Sequence, residues 1–154
     1  VGRTDYYDDP SAPPANSLVV AVVVVVLDGD RVLMIQRTDN GRWALPGGGQ
    51  ELGESVRDAA VRETWEETGL HIEVTGVVGI YSDPRHVIAY DDGEVRQEFA
   101  LCLTGSAIGG ELQTSSESKR VEWVPLDALP SLDVSGSTRR RIEQAVTGTA
   151  PHID

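Results

Sequence analysis

Gly48 to Leu70 read GGQELGESVRDAAVRETWEETGL, twenty-three residues that hold six carboxylates (Glu51, Glu54, Asp58, Glu63, Glu66, Glu67) and two arginines (Arg57, Arg62). The spacing predicts a helix over 55–68. Ser55 stands where an N-cap belongs, Asp58 follows three residues on as in a capping box, and Gly69 stands at the expected stop. Glu63, Glu66 and Glu67 lie at i, i+3 and i+4 and share one helix face. Like charges at that spacing cost an isolated helix a few tenths of a kcal/mol per pair. A hard divalent cation reverses the penalty, because Mg²⁺ and Mn²⁺ prefer carboxylate oxygens. Upstream on the same face, Val56, Ala59 and Ala60 let the helix pack closely against a neighbour. Taken alone, a glutamate-rich helix is most simply a solvated face.

Outward from this segment the chain alternates strand and helix signals. Leu18 to Leu27 (LVVAVVVVVL) carries seven β-branched residues in ten and reads as a buried central strand, about half the length of a membrane span. Asp28-Gly29 joins it to Arg31–Gln36 as a hairpin. A glycine-dense loop runs over 40–50. Strands are expected over 72–81, then 87–90 and 95–103 around Asp92-Gly93, and over 121–124. A helical turn is expected over 125–129, and Ile142, Ala145 and Val146 give 137–146 an amphipathic helical spacing. Residues 1–17 hold three prolines and no periodic apolar face, so they read as a flexible arm. Residues 18–148 read as a single domain and 149–154 as a tail. The acidic segment ahead of the apolar run does not read as a signal peptide.

The chain has 154 residues and a mass of 16.6 kDa, with thirteen Lys and Arg against twenty-five Asp and Glu. A net charge of −12 argues against duplex nucleic acid or an anionic membrane as the main partner. If the substrate is also an anion, a bound metal is the simplest neutralising agent. The lone Cys102 excludes an intramolecular disulfide and any CxxC site, makes a cytoplasmic location the default, and reads as core.

The segment 48–70 resembles the signature of the Nudix hydrolase family: Gly, five residues, Glu, seven residues, then Arg-Glu-aliphatic-x-Glu-Glu-x-Gly-aliphatic. Gly48, Glu54, Arg62, Glu63, Glu66, Glu67, Gly69 and Leu70 match, and Thr64 departs where an aliphatic residue is usual. With each residue type at roughly one in fifteen, seven fixed identities coincide by chance about once in 10⁸ placements. The resemblance implies an α/β fold, an α/β/α sandwich with a mixed β-sheet between helices. It also implies metal binding by Glu63, Glu66 and Glu67 with the main-chain carbonyl of Gly47, and Mg²⁺ as the cofactor with Mn²⁺ able to substitute. Arg62 would orient the glutamates, and Glu54 would act in catalysis by binding a second metal or its water, or only favour the helix start. Glu66 or Glu67 would serve as general base. Glu117 stands where some relatives place a further metal-binding or basic glutamate.

The implied activity is cleavage of a nucleoside diphosphate linked to another moiety. Pro84 falls close to, though out of register with, the downstream proline of ADP-ribose hydrolases, so ADP-ribose or another sugar nucleotide is the first expectation. The alternative is a (deoxy)nucleoside triphosphate pyrophosphohydrolase. A non-catalytic nucleotide-sensing module is a third reading, disfavoured by the complete Arg-Glu-x-x-Glu-Glu core. Arg37, Arg85, His86 and Arg96 are candidate phosphate or ribose contacts, and Trp43, Tyr81 and Tyr90 candidate stacking partners. A homodimer is left open.

Overall fold

The computed structural model describes residues 2–148 and 150–154; Val1 and the first residue of the expected tail, Thr149, lie outside them. In chain order the strands and helices are β1 (Arg3–Tyr7), β2 (Ser17–Leu18), β3 (Ala21–Asp28), β4 (Arg31–Arg37), β5 (Trp43–Ala44), β6 (Gly47–Gly49), α1 (Val56–Thr68), β7 (Leu70–Tyr81), β8 (His86–Tyr90), β9 (Val95–Gln97), β10 (Ala100–Gly110), β11 (Ser118–Pro125), α2 (Gly136–Thr147) and β12 (His152–Ile153). A 3₁₀ turn spans Leu126–Ser131 before α2.

The main sheet runs β11-β4-β3-β10-β7-β12, with β5 added to β4 and β6 to β3. It is mixed: β10 lies parallel to β3 and antiparallel to β7. The valine run builds its centre because both faces are covered. Val22, Val24 and Val26 pack with Ala59, Ala60, Leu70 and Leu103 under α1. Val25 packs with Met34, Cys102 and Ile142 under α2, where Val23 joins from the edge. Period-two alternation in a strand buried on both sides needs apolar residues at every position, which is what a continuous valine run supplies. Each fully buried valine contributes roughly 1.5–3 kcal/mol. The expected α/β/α sandwich is the observed fold.

β3 changes partners along its length, and this opens the site. Near the Asp28-Gly29 turn it pairs with β4 through Leu27–Val32 and Asp28–Arg31 only. Toward its start β6 takes that side, pairing Gly47, Gly48 and Gly49 with Val23, Val22 and Ala21. The segment 40–50, expected as a loop, therefore contains two short strands. Its glycines are pinned because their main chain bonds to β3.

Two further expectations are corrected. The stretch 95–103 is not one strand. It breaks at Glu98 and Phe99, with β9 joining a second sheet while β10 enters the main one and runs on to Gly110. Residues 3–7 are not a free arm: β1 pairs antiparallel with β8, from Arg3 opposite Tyr90 to Tyr7 opposite His86, in a sheet ordered β1-β8-β9-β2. Polar contacts rather than an apolar face hold it. Arg3 Nε lies 3.0 Å from Asp5, Asp5 Oδ1 lies 3.2 Å from His86 Nε2, and the Tyr7 ring stacks on His86 at 4.3 Å. In the expected tail, His152 and Ile153 pair with Gly79 and Ile80. Among the described residues no helix is long and apolar enough to cross a membrane.

Helix α1 is fixed at both ends. Ser55 Oγ accepts the Asp58 N–H at 3.1 Å, and Asp58 answers by accepting the Ser55 N–H at 3.3 Å. At the other end Gly69 adopts φ +78°, and a Cβ there would stand 2.2 Å from the main-chain oxygen of Glu111. Left-handed backbone costs a non-glycine residue roughly 1–2 kcal/mol, and a backbone oxygen cannot yield cheaply. Gly69→Ala is therefore expected to lower stability by at least about 2 kcal/mol. A urea midpoint unchanged from wild type would contradict this account of the helix stop.

Candidate active site

One cleft of about 540 Å³ runs between the two sheets. Its acidic end is made by the β6 glycines and by Glu63 and Glu67, which α1 turns inward. Glu67 is 3% exposed, and its Oε1 accepts the Gly47 N–H at 2.7 Å. Burial pushes its carboxyl up to about 8, with the Gly47 bond acting against the shift and neighbouring Glu63 and Glu117 adding to it. Burial likewise raises Glu63, which is 9% exposed, against the pull of Arg62. A Cβ at Gly48 would stand 2.4 Å from Glu63 Oε1, so a side chain there would displace the Glu63 carboxylate from its present place.

Arg62 organises the cluster from below. Its Nε and Nη2 grip Glu54 at 2.6 and 2.9 Å, its Nη1 reaches Glu63 at 3.0 Å and Glu66 at 3.2 Å, and its Nη2 also meets the Gly49 carbonyl at 3.0 Å. The hydrogen bond from Arg62 pulls the Glu54 carboxyl below its usual range. Glu54 accordingly sits behind the cleft as the anchor of this arginine rather than on its lining. Glu66 is half exposed and is also absent from the lining.

Glu117 comes from the opposite side and lines the cleft. Its loop is tied to the end of α1. Ser118 Oγ donates to the Glu67 carbonyl at 2.6 Å, and the Gln113 N–H to the Thr68 carbonyl at 2.8 Å. The Thr38 N–H then donates to the Glu117 carbonyl at 3.1 Å.

Of the four expected substrate contacts, Arg37, His86 and Arg96 line this cleft and Arg85 does not. Arg85 is an exposed side chain folded onto Asp83 at 2.7 Å. Arg37 pairs with Asp39 at 2.7 Å. Arg96 pairs with Glu94 at 2.7 Å and lies 4.7 Å over the Tyr90 ring. Tyr90 and Trp43 line the cleft, with Trp43 almost wholly in the core; Tyr81 is buried beneath α2. The sequence reading missed Arg3, Asp5 and Tyr7 on β1, Arg42, and Ser137 and Arg141 on α2, all of which line the cleft.

Among the described residues no three acidic, histidine or cysteine side chains already stand as a ligand set, with Arg62 holding Glu63 and Glu66. The chemistry of the donors nevertheless suits a hard divalent cation. Two carboxylates lie buried side by side, and the only hydrogen bond to the side chain of Glu67 among the described residues comes from Gly47. Burying like charges together is costly unless a cation offsets them.

Comparison with known proteins finds relatives in sequence and in fold. A MutT-like protein of Streptomyces ambofaciens is 38% identical over 145 residues, 94% of this chain and 86% of that one. An ADP-ribose pyrophosphatase of Methanocaldococcus jannaschii is 39% identical over 121 residues, 73% of this chain and 65% of that protein. A NUDIX hydrolase structure from Nitrosomonas europaea superposes with a TM-score of 0.72 at 21% identity, covering 88% of this chain and 93% of that one, a likeness of fold. The NUDIX domain profile matches residues 17–145, which takes in the whole acidic helix α1, its glycine loop and α2 as far as Ala145, and the chain therefore belongs to the Nudix hydrolase family.

Proposed function

We propose that this chain is a cytoplasmic, Mg²⁺-dependent pyrophosphohydrolase, with Mn²⁺ able to substitute, that cleaves ADP-ribose or another sugar nucleotide at its diphosphate. The observation that carries this reading is one cleft joining buried carboxylates and a glycine strand at one end to arginines and tyrosines at the other. Its volume of about 540 Å³ lies within the range of small-molecule sites. A small anionic ligand, rather than a nucleic acid, suits a cleft of this size in a chain of net charge −12. The name of the similar archaeal ADP-ribose pyrophosphatase supports the sugar-nucleotide class.

In this reading the Gly47 carbonyl with Glu63, Glu66 and Glu67 would hold the cation, and Glu117 would join them from the facing loop. When bound, the cation neutralises phosphate oxygens and makes a water more acidic. Glu67, whose burial favours its protonated form, would have to release that proton to hold the cation. Glu66, more exposed and steered by Arg62, would take the proton of the attacking water. The three glycines let diphosphate oxygens come close to the main chain. Arg37, Arg96 and His86 contact the remaining phosphate and ribose oxygens.

The test is hydrolysis of ADP-ribose, sugar nucleotides and each nucleoside triphosphate with Mg²⁺, products being separated by chromatography. Sugar nucleotides are expected to yield a nucleoside monophosphate, and a chelator is expected to abolish turnover. Preferred cleavage of triphosphates would overturn the substrate class. A folded protein that turns over nothing on the panel would overturn the catalytic reading.

A further inference from the structure

Five arginines line the cleft: Arg3, Arg37, Arg42, Arg96 and Arg141. Four have a carboxylate of their own, in Asp5, Asp39, Asp133 and Glu94. Arg141 has no carboxylate within ion-pair distance and no hydrogen-bond acceptor among the described residues. It is 7% exposed, and its Nε is fully buried and unpartnered. The Tyr81 ring lies 4.8 Å from its guanidinium carbon. An aromatic face answers the charge but does not accept the in-plane N–H groups as an oxygen would.

Its position adds a second observation. A smaller cavity of about 350 Å³ adjoins the cleft, and the two share Tyr7, His86, Glu98, Ser137 and Arg141. None of these belongs to the glycine and glutamate end. Arg140 also lines the smaller cavity, but it is drawn to Asp154 at 3.6 Å. A buried, unpaired guanidinium is costly to keep, and an anionic ligand would offset that cost.

We infer that Arg141 binds a second anionic group, a phosphate or a carboxylate, carried by the part of the substrate that lies beyond the scissile diphosphate. The inference rests on the pyrophosphohydrolase reading and narrows it. The preferred substrate is a nucleoside diphosphate derivative with an additional oxyanion, seated where the cleft meets the smaller cavity. A planar donor fork matches such a group with two parallel hydrogen bonds.

Two substrate pairs separate the sources of the anion. UDP-glucuronate against UDP-glucose tests a carboxylate, and 2′-phospho-ADP-ribose against ADP-ribose tests a phosphate. Wild type is expected to favour the anionic member of at least one pair by about tenfold or more in kcat/KM. Arg141→Met is expected to erase that preference through KM, with kcat unchanged, and Arg141→Lys to keep part of it. In chelated buffer inorganic phosphate is expected to raise the melting temperature of wild type and not of Arg141→Met. The metal-free variant itself should melt no lower than wild type. The phosphate measurement decides the matter even if no substrate turns over, so failure of the hydrolase reading and failure of this inference remain distinguishable. If Arg141→Met does not fold, the KM of Arg141→Lys for the anionic member decides, an unchanged value overturning the proposal. It is equally overturned if wild type favours neither anionic member, or if Arg141→Met loses stability while the preference persists.

Discussion

Glu67→Gln is expected to lower turnover by about 10²–10⁴-fold while leaving the metal-free protein at least as stable as wild type. The two effects separate because, in its proposed role, Glu67 serves the cation at the expense of the fold. Its side chain is buried, with one hydrogen bond from the Gly47 N–H. Glutamine keeps the volume and an oxygen to accept that bond. It loses the negative charge, which the proposed cation site needs and the empty site does not. A residue required only for packing would show the opposite pattern, with stability and turnover falling together.

The pH dependence follows from the same burial. An ordinary glutamate ionises near 4.5, whereas the folded protein holds Glu67 at about 8. The folded state therefore binds the proton more tightly than the unfolded state does. Stability of the metal-free protein is accordingly highest below about 4.5 as far as this group is concerned. It falls as pH rises from there through about 8, by a few kcal/mol. In Glu67→Gln that slope is absent, so in chelated buffer the variant should match wild type near pH 5 and melt higher near pH 8.5. Mg²⁺ should stabilise wild type most at the alkaline end, where the carboxylate is free of its proton. Full turnover in the variant, or a lower melting temperature at alkaline pH, would remove Glu67 from the proposed role.

The acidic helix and the valine strand were legible because each carries its environment in its own periodicity. Ser55, Asp58 and Gly69 punctuate α1 with local chemistry that needs no distant partner. Alternation through Val22–Val26 leaves only a strand buried on both faces as a solution. β1 offered no such signal. Arg3, Asp5 and Tyr7 look like solvated loop residues until β8 brings His86 opposite Tyr7. The break between β9 and β10 has no turn residue to mark it, since Val95–Leu103 contains neither glycine nor proline; the polar run Arg96-Gln97-Glu98 is the one local sign of it. It is set by β10 slotting between β3 and β7, a tertiary decision.

The site divides along the same line. Glu63, Glu67 and the β6 glycines could be read from spacing and resemblance, and the structure brings them to one end of one cleft. The cationic end could not. Arg139, Arg140 and Arg141 are three consecutive residues of like chemistry, and only packing distinguishes them. Arg139 caps the Leu129 and Leu132 carbonyls at 2.8 Å each, Arg140 turns to Asp154, and Arg141 alone is buried in the cleft wall. Arg85, as plausible as Arg96 by composition, is spent on Asp83.

Arg62→Lys is expected to lower kcat by about 10–100-fold and to raise the Mg²⁺ concentration needed for half-maximal activity. The charge is conserved, so any loss reports geometry. Arg62 spans Glu54, Glu63, Glu66 and the Gly49 carbonyl with a planar fork, and an ammonium on a flexible stem cannot hold all four at once. Glu63 and Glu66 would then be free to turn, and their ordering would have to be supplied when the cation binds. The stability loss should be modest, about 1–2 kcal/mol, because Glu51 and Glu66 are solvated and the lysine still offsets part of the charge. Glu54→Gln supplies the complementary readout. Glu54 touches Arg62 and not the cleft, so its neutral form should reproduce the shift in Mg²⁺ requirement at smaller amplitude. If Glu54→Gln instead abolishes turnover with the Mg²⁺ requirement unchanged, Glu54 acts in the chemistry directly, and the positioning account of the Arg62 network fails.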